Sequence, residues 1–81
     1  MPTVFKIGPY CFYFYSHEPN EPPHIHVDKD GFSAKFWLGS VYLAYNKGFP
    51  AKELNKLHEL VTKHQKQFLD RWYEYFGSKN R

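Results

Sequence analysis

The segment richest in potential chemistry is Pro22-Pro23-His24-Ile25-His26. Residues two apart in an extended strand project from the same face, so these imidazoles would stand parallel, about 7 Å apart along the chain. Two such rings can converge on a transition metal such as zinc if a third ligand joins them. His17 and Asp28 are the candidates for that role, with Glu18 and Glu21 also close in sequence. The same pair suits metal-free catalysis, one ring as general base and the other as general acid, because an unperturbed imidazole titrates near neutrality. Cleavage of RNA at its 2′-hydroxyl is a reaction of that kind, with Lys35 as a candidate to steady the phosphorane charge. His-x-His is nevertheless a short pattern, without the spacing of a four-ligand zinc motif. Local hydrogen bonding or stacking against Tyr and Trp is the competing use of these rings.

Little else invites a reaction. The chain has no glycine-rich phosphate loop and no usable Ser/His/Asp order. Cys11, the single cysteine, falls in an aromatic run where an inert thiol is expected, and it excludes an internal disulfide. His58 and His64 fall on the helix as packing or rim residues.

The elements that must position the histidines follow from punctuation. Gly8-Pro9 separates Thr3–Ile7 from Tyr10–Ser16, and Pro19, Pro22 and Pro23 interrupt the chain before a strand over His24–Asp28. The prolines restrict the backbone just ahead of the two rings. Lys29-Asp30-Gly31 signals a hairpin into Phe32–Leu38, and Gly39-Ser40 turns the chain into Val41–Tyr45. Short strands joined by tight turns predict a small antiparallel meander of about five strands, residues 1–46. Pro50 then suits the first position of a helix, Glu53 its positive end, and Gly77 its stop. Leu54, Leu57, Val61, His64, Phe68, Trp72 and Tyr75 share one stripe, so residues 50–76 read as an amphipathic helix, with a tail over 77–81. As one rod it would span about 40 Å, against roughly 17–24 Å for the strands. Either it kinks near Thr62–Gln65, or is a bent pair of helices, or its aromatic end overhangs the sheet. The fold class is therefore α+β in a single domain over residues 1–81.

Strand alternation sorts the side chains into two lists. Phe12, Phe14, Ile25, Val27, Phe32, Ala34, Phe36, Leu38, Val41, Leu43 and Tyr45 form the expected core beneath the helix. The opposite list holds His24, His26 and Lys35 together with Tyr13, Tyr15, Trp37 and Tyr42. A single helix cannot cover both faces. Rings with polar tips are enriched at protein interfaces, which makes Tyr13, Tyr15, Trp37 and Tyr42 interface candidates. The same composition serves single-stranded nucleic acid as a stacking platform. The net charge of +3 is mild, however, and the helix mixes its lysines with Glu53, Glu59, Asp70 and Glu74, as a solvated face does.

With 81 residues there is room for one core, and 21% aromatic residues are how so short a chain could fill it. Small domains also gain stability by self-association, so a homodimer is one expected partner state. No apolar run approaches the roughly 18–20 residues that cross a bilayer. The N-terminal residues lack the charge and apolar stretch of a secretory signal, and one cysteine fits a reducing compartment, so a cytoplasmic location is expected.

The chain resembles the domain-of-unknown-function family 4160, found in short bacterial proteins. The resemblance rests on Met1-Pro2-Thr3, Phe12-Tyr13-Phe14-Tyr15-Ser16 and Asn20-Glu21-Pro22-Pro23-His24-Ile25-His26-Val27. It continues through Ala34-Lys35-Phe36-Trp37-Leu38, Leu43-Ala44-Tyr45-Asn46-Lys47-Gly48-Phe49 and Glu53-Leu54, and ends at Phe68-Leu69 and Trp72-Tyr73-Glu74-Tyr75-Phe76. Many relatives carry Asn directly before the two prolines, where this chain inserts Glu21. The resemblance implies a gene neighbour, often another short domain of unknown function (family 2442), in an arrangement like a toxin–antitoxin pair. The expected function is thus a protein-interaction component of such a pair. The alternatives are a small ribonuclease or metal-dependent hydrolase using His24 and His26, and a single-stranded RNA-binding module.

Overall fold

Each turn inferred from Gly, Pro and Asp separates two strands in the computed structural model, which describes residues 3–15 and 20–77. The strands are β1 (Thr3–Ile7), β2 (Tyr10–Tyr13), β3 (His24–Lys29), β4 (Phe32–Trp37) and β5 (Tyr42–Lys47). They form one sheet in the order β1-β2-β3-β4-β5, every neighbouring pair antiparallel. Asp30 and Gly31 have φ of 52° and 85°, the pair of left-handed conformations that a tight hairpin matched to strand twist requires. The meander is therefore a product of local turn chemistry.

Two helices follow, α1 (Ala51–Lys63) and α2 (Gln65–Phe76), in place of one rod. The break is at His64, with φ −104° and ψ 13°, inside the span where a kink was expected. Thr62 contributes to it by turning its hydroxyl back onto the His58 carbonyl at 2.8 Å, a bond that bends helices. Bending then brings the Gln65 amide within reach of the Leu38 and Gly39 carbonyls in the β4–β5 turn. The length mismatch is resolved by this bend. Trp72 does not overhang but packs on Phe14 with ring centroids 5.4 Å apart.

The helices cover one sheet face. Phe12, Ile25, Val27, Ala34, Phe36 and Leu38 are buried there against Leu57, Val61 and Phe68, and the Phe12 and Phe68 rings stack at 5.3 Å. Two members of the expected core are corrected at β5. Lys35 pairs with Tyr45, but Phe36 pairs with Leu43, so one extra residue, Ala44, is accommodated as a bulge. The bulge moves Tyr45 to the Lys35 side and leaves it 52% exposed. Leu43 keeps its side but is 43% exposed, and Phe32, at the hairpin, is also exposed. Val41 alone of the β5 trio is buried, and it enters the strand at a φ of 55°.

Candidate functional site on the second sheet face

The second sheet face assembles the residues expected of it, although Trp72 of α2 reaches His24 there. Cross-strand pairing lines up Tyr13, His26, Lys35 and Tyr45 over four strands, with His24, Trp37 and Tyr42 forming the next row. These rows do not give equal access to solvent. His26, Lys35 and Trp37 are half-buried, Tyr15 likewise, and Tyr42 is 69% exposed. Tyr13, expected as an interface residue, is only 6% exposed, and His24 is 0% exposed.

His24 is enclosed by rings. Its centroid lies 4.8 Å from that of Trp72 on α2, 5.8 Å from Trp37 and 5.2 Å from His26. Its Nδ1 is 2.9 Å from the Pro22 carbonyl oxygen. A carbonyl only accepts, so Nδ1 carries a proton and donates it. The Pro23 carbonyl accepts the Leu38 amide at 2.9 Å, extending the β3–β4 pairing by one step. Both prolines thus present their carbonyls to fixed donors, while neither has an N–H to satisfy. The Pro-Pro-His segment is a clasp in which backbone, imidazole and Trp72 hold one another. The expectation that both imidazoles lie on a bare surface holds for His26 more than for His24.

His26 stacks on Tyr13 at 5.2 Å with only 15° between planes, and meets Tyr15 edge-on at 4.9 Å. Tyr13 donates its hydroxyl to Asp28 at 2.9 Å, and Ser33 donates to the same oxygen at 2.8 Å. Burial first, then hydrogen bonds to Tyr15 and Asp28, push the Tyr13 phenol far above its ordinary value. Tyr13 is therefore a fixed neutral donor. Lys35 bonds Glu21 at 2.6 Å and lies 4.7 Å from the Trp37 ring centre, a cation–π distance.

Among the described members of the proposed ligand set, His24, His26 and Asp28 do not gather into a metal site. Among the described residues, no three His, Cys, Asp or Glu side chains stand close enough to hold an ion. One oxygen of Asp28 accepts from both Tyr13 and Ser33, and His17 lies outside the described residues.

A cavity of about 340 Å³ opens elsewhere, between Pro9, Tyr10, Lys29, Pro50, Lys52, Glu53 and Lys56. Glu53 accepts the Tyr10 hydroxyl at 2.7 Å and Lys29 at 2.6 Å, tying α1 to β2 and β3. Sequence reasoning assigned Glu53 to the helix dipole and missed this triad, because its partners are 43 and 24 residues away. Lys29 and then Tyr10 hold the Glu53 carboxyl below its ordinary 4.5. A depressed carboxyl contributes stability that is present above the unfolded value and is lost as pH falls through the folded one. Hydrogen bonding to Glu53 raises Lys29 and burial raises Tyr10, so a second loss follows as pH climbs past 10.0 and 10.5. Urea midpoints should therefore fall below pH 4.5. In Glu53→Gln this fall should be smaller, and a fall of the same size would remove Glu53 from the account.

Geometry thus defines a small α+β domain with one sheet face under a helix pair and the other partly open, and among the described residues no helix is long and apolar enough to cross a membrane. Residues 10–73 match the model of the domain of unknown function DUF4160. The match covers most of the chain, and this protein belongs to that family. No curated protein and no solved structure matches it.

Proposed function

We propose that this chain is the protein-binding component of a two-protein, toxin–antitoxin-like pair, with the open sheet face as its docking surface. The observation that carries the reading is the placement of Trp37, Tyr42 and Tyr45 in two adjacent cross-strand rows with Lys35 and His26, set on strands rather than on loops. Aromatic residues on a rigid support lose little side-chain entropy on binding and make effective anchors. Glu21 and Lys35 form a charged rim that can fix the orientation of a partner. The partner is a small protein from the neighbouring gene, in a cytoplasmic setting.

Co-expression of the two should yield a complex that co-elutes at micromolar concentration, and separate elution would reject the pairing. Trp37→Ala should weaken the complex roughly 10- to 30-fold, as loss of a central aromatic anchor does. Isothermal titration measures this directly, and an unchanged affinity would take the open face out of the interface.

The catalytic reading, with His24, His26 and Lys35 as acid, base and charge stabiliser, has less support. A general base must come within hydrogen-bond reach of the proton it takes. His24 is fully enclosed and Lys35 is paired with Glu21. A nucleic-acid platform would use Trp37, Tyr42 and Tyr45, but the same face carries Glu21 and Asp28. Protein docking accommodates both signs of charge.

A further inference from the structure

Cationic side chains gather around the cavity of about 340 Å³ at the start of α1, where Lys29, Lys52 and Lys56 stand over walls that include Pro9, Tyr10 and Pro50. Tyr10 belongs to the core beneath the helices, so this cavity is on the helix side of the sheet. Lys29 comes from β3 and Lys56 from α1, yet both lie over the same ring, 5.6 and 5.9 Å from the centre of Tyr10. Lys52 stands one helical turn before Lys56. Like charges brought together in this way repel unless negative charge sits among them. Glu53 is the single carboxylate in the lining, and it already accepts Lys29 at 2.6 Å and the Tyr10 hydroxyl at 2.7 Å. Among the described residues, Lys52 and Lys56 have no ion pair. With three lysines to one glutamate, the lining holds a surplus of two positive charges.

We propose that this cavity binds a small phosphate monoester, its phosphate between Lys52 and Lys56 and a compact apolar body against Pro9 and Pro50. Charge selects the head group. A phosphate monoester is close to a dianion at pH 7 and matches a surplus of two, whereas a carboxylate supplies one. Lysine serves phosphate as a mobile point charge, so no fixed fork of donors is needed. Size selects the body. The volume lies at the lower end for ligand sites, which leaves room for one ring system and excludes a dinucleotide. Glu53 has a different task, since its bonds to Lys29 and Tyr10 tie α1 to the sheet and set the cavity walls before a ligand arrives.

Proton–nitrogen correlation spectra of the labelled chain, titrated at fixed ionic strength, test this with phenyl phosphate as the probe. Saturable shifts should centre on Tyr10, Lys29, Lys52 and Lys56, with a dissociation constant of about 1–5 mM, as expected of so small a ligand. Inorganic phosphate, which lacks the ring, should bind at least ~5-fold more weakly. Lys52→Gln and Lys56→Gln should each weaken phenyl phosphate about 3- to 10-fold. Both side chains are exposed, so these variants should keep the wild-type circular dichroism spectrum. Lys63→Gln, on the same helix but outside the cavity, should bind within about twofold of wild type. Shifts that fail to saturate by roughly 20 mM would overturn the proposal. So would a Lys63→Gln loss equal to that of Lys56→Gln, which leaves only general attraction to a basic surface. Inorganic phosphate binding as tightly as phenyl phosphate would overturn the assigned ligand class. None of these residues lies in the docking face, so failure of the two-protein reading leaves the results unaffected.

Discussion

His24→Ala should cost about 3 kcal/mol of folding stability, although histidine is a residue type only intermediate in its tendency to be buried. The ring has 0% exposure and touches Trp72, Trp37 and His26. Its removal leaves a void between a strand and a helix. It also removes the imidazole donor that holds the Pro22 carbonyl. His26→Ala should cost about 1 kcal/mol, because that ring is half-buried and its main loss is stacking on Tyr13. Urea unfolding of the two variants provides the test. Equal, small losses would restore both imidazoles to the role of accessible surface groups.

Trp72→Ala should be the more damaging substitution, at about 3–5 kcal/mol. Trp72 is buried, packs on Phe76 of its own helix, and joins that helix to Phe14 and His24, both far away in sequence. Without it the second helix loses its hold on the end of β3, and the Pro-Pro-His clasp loses its lid. The two substitutions act on one contact, so their effects should not add. The double variant His24→Ala/Trp72→Ala should be less destabilised than the sum of the singles, by about 0.5–1.5 kcal/mol. Strict additivity in the urea midpoints would mean that the rings are near each other without being coupled.

The five strands were legible because each boundary carries Gly, Pro or Asp, whose conformational demands are local. Alternation through β3 and β4 was legible as well, and Ile25, Val27, Ala34 and Phe36 are core residues as expected. The faces of β5 were not, because a bulge at Ala44 shifts the pattern by one residue without any distinctive residue type to announce it. The helix length called for a bend or an overhang, and the break at His64 falls in the expected Thr62–Gln65 span; which of the two occurs depends on what Gln65 can reach in a distant turn.

The histidine motif is the instructive case. Its spacing placed His24 and His26 on one face, and cross-strand pairing with Trp37 and Lys35 agrees. Whether such a ring meets solvent is decided by Trp72, which arrives from the far end of the chain. No spacing rule within residues 22–26 contains that information. The same holds for Glu53, whose ion pair with Lys29 joins a helix start to a hairpin. Short motifs specify which side chains point together, and long-range packing then decides whether they react, bind or support.

The claim beneath this account is that the Pro-Pro-His segment is a structural clasp with the His24 ring fixed by the Pro22 carbonyl. Long-range nitrogen–proton correlation spectra of the labelled protein read that bond directly. The account predicts a slowly exchanging imidazole proton on Nδ1 of His24, assigned by its loss in His24→Ala. A His24 ring without a resolved Nδ1 proton, averaging like a free imidazole in water, would contradict it.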